Sequence, residues 1–475
     1  MTSDEFKQLG YRLIDWIAEY RARVEHLPVM AQVEPGFLRS HLPAQPPERA
    51  LGFRGIEEEL ERLLPGLVGW QSPHFFAYFP SNAPLHSVLA DIVATGMGQI
   101  GLSWQAAPAL TELEEVMNDW LRQMLGLPPE FRGVIQDTAS TGTLVAMLSA
   151  RERSTDHSQA RGGLQAEEKP LVVYASDQAH SSVPKAALLA GFGRDNLRLI
   201  ETDGDHAMRV DRLEEAILGD LAEGKRPCAV VATVGTTATT AIDPVSSIAA
   251  LAGQYGLWLH VDAALAGSAM ILPECRALWE GVERADSLVI NPHKWLGVAF
   301  DCSLYYVRDP EHLIRVMSTN PSYLQTAADG LAPNYRDWGI PLGRRFRALK
   351  IWFALLAEGV EGLQARLRRD LDNARWLEAQ VRQAPGWRVL APVPLQTVCV
   401  RYEPEGLEGE GLDRLTLEWV NRINRSGAAY LTPAILKGRW MVRVSIGAEM
   451  TERRHVEALW RRMREEAERA ASQMR

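Results

Sequence analysis

Cysteine is scarce in this chain of 475 residues, which contains only Cys228, Cys275, Cys302 and Cys399. The four residues lie far apart, include no C-x-x-C pair, and have no histidine at a zinc-ligand spacing. The sequence therefore predicts neither a disulfide framework nor a metal site, and we expect reduced, buried thiols.

Positive charge is also in short supply. The chain has 51 Lys and Arg against 60 Asp and Glu, which gives a formal net charge of -9. Binding to nucleic acid depends on clustered basic residues that neutralise phosphates. The composition therefore predicts no nucleic-acid partner.

Long apolar runs are missing as well. Gly, Pro or a charged residue interrupts every candidate before it reaches the ~18 residues that a membrane span needs. The N-terminal segment lacks the basic and apolar regions of a signal peptide and instead repeats Phe6, Leu9, Leu13, Trp16 and Tyr20 at helical spacing. We expect a cytoplasmic protein without membrane contact, whose first helix buries one face on its own chain or on a neighbouring subunit.

Short β-branched or apolar runs are abundant from about residue 132 onward. Six of them, GVIQ, LVVYAS, LRLI, AVVATV, LWLHV and SLVI, are mostly separated by helical patterns. This alternation predicts an α/β fold with a mainly parallel sheet and helices on both faces. A seventh run, SLYYV, follows a link too short for a helix, so we expect this strand to run antiparallel. The predicted domains are a helical N-terminal arm over 1–85, a large domain over 86–360 and a small α+β domain over 361–475.

Two of these strands lead into patterns that suit a ligand, because ligands of open α/β sheets bind at the carboxyl ends of the strands. After GVIQ, Ala139 and Ser140 begin a helix whose amides and hydroxyl suit a phosphate, although a capped helix without a ligand has the same pattern. After LWLHV, Asp262 and the small Ala264 suit a flat ring with a protonated nitrogen, although a structural carboxylate fits equally well.

Lys294, in the stretch INPHKWLG, is the third candidate. A lysine among apolar neighbours either extends its ammonium to water or is a neutral nucleophile whose pKa burial lowers from about 10.4. Asn291 in the same turn offers a donor to a phosphate, and His180 after LVVYASDQA lies either over a ring or in the core. Together these residues predict pyridoxal 5'-phosphate, with the lysine bonded to the cofactor and Asp262 keeping the ring nitrogen protonated.

Seven motifs extend this pattern over nearly the whole chain: VEPGFL, SPHFFAYFP, DQAHSS, LHVDAALAGSA, NPHKWL, FDCS and YRDWGIPLGRRFRALKIWF. With them the sequence resembles the group II pyridoxal-phosphate decarboxylases, especially the aromatic-L-amino-acid decarboxylases. The resemblance implies a fold-type I enzyme, similar to aspartate aminotransferase in its large domain, with a seven-stranded sheet. It also implies a homodimer with active sites at the interface that converts aromatic L-amino acids to amines and CO2.

The resemblance assigns roles to individual residues. Lys294 corresponds to the Schiff-base lysine, Asp262 to the partner of the ring nitrogen and His180 to the imidazole stacked on the ring. Tyr335, in the irregular segment 309–343, corresponds to the mobile-loop tyrosine that returns a proton to Cα. The other cofactor contacts that the resemblance implies are Ala139, Ser140, Thr237, Ala264, Asn291 and His293.

The substrate side that the resemblance implies is mostly apolar. Leu102 stands where animal members carry Phe, and Leu265 where many carry Tyr, which leaves the choice among tryptophan, tyrosine, phenylalanine and their hydroxylated forms open. Residues 70–81 contain no Lys or Arg to pair with a second carboxylate, which disfavours glutamate and aspartate. The implied residues are Trp70, Tyr78, Phe79, Pro80 and Ser81, with Ile100 and Leu102 from the other subunit, and Gly343, which is Ser in histidine decarboxylases.

Two alternatives stay open. Aldehyde synthases of the same class tend to lack the loop tyrosine or to carry Asn in place of the stacking histidine, whereas this chain has both Tyr335 and His180. A catalytically silent binding protein on the same fold is the second alternative, because fold alone does not determine function. The presence of Lys294 and Asp262 together with these two residues argues against it.

Overall fold

The computed structural model describes residues 1–319, 321–325 and 328–474. The chain divides into two compact units. The terminal unit contains Met1–Pro80, Asp372–Leu390 and Val398–Arg475, and the central unit contains Ser81–Leu371 and Ala391–Thr397. The predicted N-terminal arm and most of the predicted small C-terminal domain therefore belong to the same unit.

The helices follow the predicted alternation with strands. The first begins with a capping box in which Thr2 accepts from the Glu5 amide, and it ends with basic residues in its last turn. The α-helices are α1 (Ser3–Arg23), α2 (Phe37–His41), α3 (Ile56–Leu63), α4 (Leu85–Gly96), α5 (Pro108–Met124), α6 (Ala139–Ser154), α7 (Ser182–Leu189), α8 (Val210–Ala222), α9 (Val245–Tyr255), α10 (Pro310–Met317), α11 (Ala348–Gln383), α12 (Glu410–Arg425) and α13 (Arg453–Met474).

The strands form two sheets. The seven-stranded sheet has the order β1-β7-β6-β5-β4-β2-β3, and the four-stranded sheet has the order β10-β11-β9-β8. The strands are β1 (Arg132–Gln136), β2 (Leu171–Ser176), β3 (Leu197–Ile200), β4 (Arg226–Thr233), β5 (Trp258–Asp262), β6 (Ser287–Ile290), β7 (Ser303–Val307), β8 (Trp387–Val389), β9 (Thr397–Tyr402), β10 (Thr432–Leu436) and β11 (Arg439–Ser445).

The large sheet confirms the predicted fold class. Strands β3, β2, β4, β5 and β6 pair in parallel, whereas β7 pairs antiparallel with both β6 and β1. The register pairs Thr233 of β4 with Asp262 of β5, and Asp262 with Val289 of β6. The carboxyl ends of these three strands therefore meet at one edge of the sheet, where the predicted site residues follow.

The core of the central unit lies between this sheet and its helices. All residues of β2, β5, β6 and β7 are buried, which is typical of strands covered on both faces. Helix α6 approaches the sheet so closely that a Cβ on Gly142 would lie 2.5 Å from Cγ1 of Val289. This glycine lets the start of α6 lie directly against the strands that carry the site.

Two further expectations can be compared with the structure. All four cysteines are free and buried, as predicted. Among the residues that the structure describes, every helix is too short or too polar to span a bilayer.

Candidate active site

The predicted phosphate cradle lies where β1 leads into α6. Thr138 caps the helix by accepting from the Thr141 amide, and the first-turn amides have no partner within a helix. In the described part of the chain neither the Ala139 nor the Ser140 amide has a hydrogen-bond acceptor. Because the Ser140 side chain is also exposed, the capped helix retains free donors for an anion.

Asn291 directly follows β6 and precedes the turn Pro292–Leu296, in which Lys294 has non-helical backbone angles. The Asn291 amide donates to the Ala264 carbonyl at 2.9 Å, and the Lys294 amide donates to the Asn291 carbonyl at 2.9 Å. The Oδ1 atom of Asn291 is buried and has no hydrogen-bond partner among the described residues. Oδ1 is an acceptor, so a donor can satisfy it, whereas a phosphate would have to be bound through the Nδ2 donor of the same side chain.

Asp262 is the last residue of β5 and is buried. Its Oδ1 accepts from the Ala264 amide at 3.0 Å, and no described residue donates to Oδ2. A carboxylate with one oxygen anchored by the backbone and the other unused fits a protonated ring nitrogen. Ala264 itself is partly exposed and small, so it leaves space beside the carboxylate.

His180 shares the electrostatic surroundings of Asp262 and Lys294. Burial is the largest cause that lowers the pKa of His180; the positive charge of Lys294 lowers it further, whereas Asp262 raises it. Its Nδ1 accepts from the Ser182 amide at 3.1 Å, so the neutral ring carries its proton on Nε2. The charges of Asp262 and Lys294 therefore both act on His180.

Two other predicted cofactor contacts differ in their surroundings. Thr237 is exposed in the loop after β4. The His293 ring is buried; its Nδ1 accepts from the Cys302 amide at 3.0 Å and its centroid lies 4.9 Å from that of Phe300. Burial lowers the pKa of His293 to about 4, which keeps the ring neutral. His293 thus holds the Lys294 turn to the start of β7, and its predicted contact with a cofactor stays a prediction.

Most of the predicted substrate residues of the terminal unit are aromatic, and their rings contact other side chains of that unit. Trp70 stacks on Tyr78 with centroids 5.7 Å apart, and the Tyr78 hydroxyl lies 3.2 Å from that of Tyr430. The guanidinium of Arg443, from β11, lies 4.9 Å from the centre of the Phe79 ring. Sequence reasoning missed this cation because it considered residues 70–81 alone. Pro80, the last of these residues in the terminal unit, is buried. Ser81, which begins the central unit, is half-buried.

The predicted substrate residues of the central unit form one small patch. A Cβ on Gly343 would lie 3.4 Å from Cγ2 of Ile100 and 4.0 Å from Cδ2 of Leu102. The Gly101 amide donates to the Arg344 carbonyl at 2.9 Å, which fixes this approach. The Cβ of another residue at position 343 would therefore make ordinary van der Waals contact with both apolar side chains.

Tyr335 begins the helical turn Tyr335–Trp338. Its ring is buried, lies edge-on to Trp338 at 5.4 Å between centroids, and lies 5.1 Å from the guanidinium carbon of Arg344. Arg344 is itself fixed by a buried ion pair with Glu114 at 2.6 Å. Burial is the main cause that raises the pKa of Tyr335 well above 10. The predicted role of Tyr335 as proton donor stays a prediction.

Two residues of α11 that sequence reasoning missed hold the Lys294 turn. Arg366 donates to the carbonyls of Trp295 and Leu296 at 3.0 and 2.7 Å. Asp370 is fully buried and accepts from Nε1 of Trp295 at 2.9 Å. In the sequence both residues lie in the charged run ARLRRDLD, a pattern typical of a solvent-exposed helix face. No local signal therefore indicates that they are buried.

Asp370→Asn tests the cost of this buried carboxylate. Burial raises the pKa of Asp370 from 3.8 to about 6, so the folded protein retains a proton that the unfolded chain releases. The wild-type free energy of unfolding should therefore fall by roughly 3 kcal/mol as the pH rises from about 4 to about 7, and this fall should be absent in the variant. Urea unfolding at a series of pH values measures it. Asp372→Asn, at an exposed carboxylate, should follow the wild type; parallel curves for all three proteins would contradict the prediction.

Comparisons with known proteins agree with this arrangement. Residues 35–403 match a family model described as "Pyridoxal-dependent decarboxylase conserved domain". The chain is 42% identical to the aromatic-L-amino-acid decarboxylase of Bos taurus, over 98% of this chain and 97% of that protein. It is 39% identical to the phenylacetaldehyde synthase of Arabidopsis thaliana, over 98% of this chain and 96% of that protein.

A solved structure shows the same similarity in three dimensions. The crystal structure of "Oryza sativa TDC with PLP and tryptamine" superposes with a TM-score of 0.96 at 37% sequence identity, and the match covers 99% of both chains. The matched region includes the strands, the Lys294 turn and the start of α6.

Proposed function

The chain belongs to the pyridoxal-dependent decarboxylase family, and from this membership we propose that it decarboxylates aromatic L-amino acids to the corresponding amines and CO2. The observation that carries the proposal is the convergence of His180, Asp262 and Lys294 at the carboxyl edge of the sheet. The similarity to an aromatic-L-amino-acid decarboxylase supports the substrate class. Release of amine from tryptophan, tyrosine, phenylalanine and DOPA, with histidine and glutamate as comparisons, tests it.

The residues present fit pyridoxal 5'-phosphate. When bound, this cofactor supplies a conjugated ring that accepts the electron pair of the breaking Cα–carboxylate bond. The amine of Lys294 would hold it covalently, and Oδ2 of Asp262 would face the ring nitrogen. The amides of Ala139 and Ser140, with the side chain of Asn291, would hold the phosphate.

Two residues of the central unit would flank a bound ring. The neutral imidazole of His180 offers a flat surface for one side of a ring, and the small Ala264 leaves room on the other. The stacked rings of Trp70 and Tyr78 offer an apolar surface of the kind that an indole or phenol side chain prefers. Glutamate and aspartate were disfavoured because residues 70–81 contain no cation, but Arg443 lies beside Phe79. Glutamate is therefore included in the assay.

One observation favours a second candidate, an aldehyde-forming reaction. A proton must return to Cα to give an amine, and Tyr335, the predicted donor, is enclosed by Trp338 and Arg344. A relative 39% identical to this chain is a phenylacetaldehyde synthase. The irregular segment 309–343 contains one other tyrosine, Tyr323. Because Tyr323 is a second candidate for the proton donor, amine formation stays the preferred proposal.

The two tyrosines give a matched pair of variants. Because the phenol of Tyr335 is buried, we expect Tyr335→Phe to keep amine as the main product. In air-saturated buffer we expect Tyr323→Phe to divert most turnover to aldehyde, ammonia and hydrogen peroxide, with dissolved O2 as the oxidant that is reduced to the peroxide. Amine, aldehyde and peroxide are measured in the same reaction. Diversion by Tyr335→Phe alone would restore the role that the sequence resemblance gives to that residue, and peroxide from the wild-type enzyme would favour the aldehyde synthase.

A homodimer is part of the proposal. Helix α4 carries an exposed apolar stripe at helical spacing, formed by Leu85, Leu89, Ile92 and Val93, each more than 40% exposed. No residue of α1 is buried, and its Phe6 is 65% exposed. An exposed apolar stripe such as that of α4 marks a protein interface, and a second copy of the chain is the partner that we propose.

The double variant Leu89→Glu and Ile92→Glu should therefore halve the mass in solution, because two carboxylates would be buried in the interface. Light scattering after size-exclusion chromatography measures this mass. Leu218→Glu with Leu221→Glu changes two leucines of α8 with similar exposure and should leave the dimer intact. A monomeric wild-type protein would rule out the proposed assembly.

A further inference from the structure

Tyr430, two residues before β10, lies outside all seven sequence motifs but contacts a predicted substrate residue. The Phe76 amide donates to the Tyr430 carbonyl at 2.9 Å, and the Tyr430 amide donates to the His74 carbonyl at 3.2 Å. The Tyr430 ring is edge-on to the rings of Phe75 and Tyr78, and the centroid of each lies 5.9 Å away. Backbone pairing within the terminal unit therefore fixes this ring beside Tyr78.

Tyr78 itself has an unusual backbone conformation. Its φ of 48° lies in the left-handed region, which a residue with a bulky side chain rarely adopts. The Thr432 hydroxyl oxygen accepts from the Tyr78 amide at 2.6 Å, and the Trp70 ring stacks on the Tyr78 ring. Tyr78 is nevertheless 48% exposed. Conformations of this kind are concentrated at functional sites, so an exposed ring held in this way indicates a ligand-binding surface.

The phenols of Tyr78 and Tyr430 retain hydrogen-bonding capacity. Their oxygens lie 3.2 Å apart, which is longer than the usual separation of about 2.8 Å between two hydroxyls. Among the residues that the structure describes, neither oxygen has another hydrogen-bond partner. Burial, followed by the hydrogen bond with Tyr78, raises the pKa of Tyr430 to about 12, so this phenol keeps its proton at neutral pH. When one phenol donates to the other, the pair still has an O–H donor and free lone pairs for a third group.

We propose that the phenols of Tyr78 and Tyr430 together recognise a hydrogen-bonding group on the ring of the substrate. An indole N–H can donate to either oxygen, and a ring hydroxyl can both donate and accept, whereas an unsubstituted phenyl ring can do neither. The pair therefore favours tryptophan, tyrosine and DOPA over phenylalanine. This inference rests on the proposed function, and it gives Tyr430 a role in specificity that the sequence motifs do not.

The size of the preference follows from the net value of one hydrogen bond in water. Such a bond changes an equilibrium constant by about three- to tenfold. Discrimination is much larger where the analogue leaves buried polar groups of the protein unpaired. Here the two phenols stay bonded to each other when the ligand lacks a polar group, and Tyr78 is exposed. We therefore expect the smaller effect.

Binding of two acids that lack an amino group tests the pair separately from catalysis. Hydrocinnamate and its para-hydroxy analogue, phloretate, differ by one ring hydroxyl, and neither can react with the cofactor through an amine. Calorimetry with the cofactor-loaded enzyme should give a Kd about three- to tenfold lower for phloretate. Tyr430→Phe should reduce this ratio at least about twofold, and the double variant Tyr78→Phe with Tyr430→Phe should bring it to about one. Hydrocinnamate should bind Tyr430→Phe as it binds the wild type, because the ring at position 430 is kept.

Tyr402→Phe is the matched control. This tyrosine belongs to the same unit, and its ring packs on Trp387 with centroids 5.2 Å apart, so its loss of a hydroxyl should leave both Kd values unchanged. Steady-state kinetics provide a second measurement, in which Tyr430→Phe should lower kcat/KM for tyrosine relative to phenylalanine.

Three results would overturn the proposal: a wild-type Kd ratio of about one, an unchanged ratio in the double variant, or equal weakening of both acids by Tyr430→Phe. The last would show that Tyr430 only supports the fold. A wild-type enzyme that discriminates between the two acids but releases no amine would contradict the proposed function and still support recognition by the phenol pair.

Discussion

Lys294→Ala should abolish amine release from every aromatic substrate, a loss on the order of 10⁴- to 10⁶-fold, as when a covalent nucleophile is removed from other enzymes. The lysine follows β6, and its carbonyl accepts from Nδ2 of Asn82. Arg366 holds the next two carbonyls. These bonds anchor the turn, so another residue has little freedom to take the position of Lys294.

Lys350 supplies the matched control, because burial lowers its pKa as a nucleophile requires. Its Nζ, however, donates to the Asp301 carbonyl at 3.0 Å, which commits the amine to the backbone. Lys350→Met should therefore retain the visible absorbance of the covalently bound cofactor, whereas Lys294→Ala and Lys294→Arg should lose it. Absorbance spectra before and after borohydride reduction measure the covalent bond. Retention of that bond in Lys294→Ala would identify another lysine and refute the assignment.

The sequence was sufficient for the large sheet and for the residues that directly follow its strands. Each strand is a short apolar run, and the parallel order brings the ends of β4, β5 and β6 to one edge. Asp262 and Lys294 could therefore be located from local patterns together with one general rule about α/β sheets. The free amides at Ala139 and Ser140 follow in the same way from a helix start.

Side chains that act through tertiary packing could not be predicted in this way. Arg366 and Asp370 lie in a helix whose charges look solvated, yet both are buried against the Lys294 turn. Tyr335 matched a family motif by its place in an irregular loop, but burial against Trp338 and Arg344 depends on contacts far away in sequence.

Asp262→Asn should have the second largest effect, a fall in kcat on the order of 10²- to 10⁴-fold. Asp262 is buried, and only its Oδ1 is bonded to the backbone, at the Ala264 amide. The Asn side chain has nearly the same shape and can keep this bond, but it has no negative charge to keep a ring nitrogen protonated. The variant should therefore fold and bind cofactor while it decarboxylates slowly.

A control variant separates the effect of the charge on Asp262 from the effect of any other charge near the same edge of the sheet. Asp177 directly follows β2 and is exposed, so Asp177→Asn removes one carboxylate from the same edge and should leave kcat unchanged. Asp262→Glu restores the charge on a longer side chain and should recover part of the rate. If Asp262→Asn retained the wild-type kcat with cofactor bound, the carboxylate would be structural, and protonation of the ring nitrogen would have to come from another group.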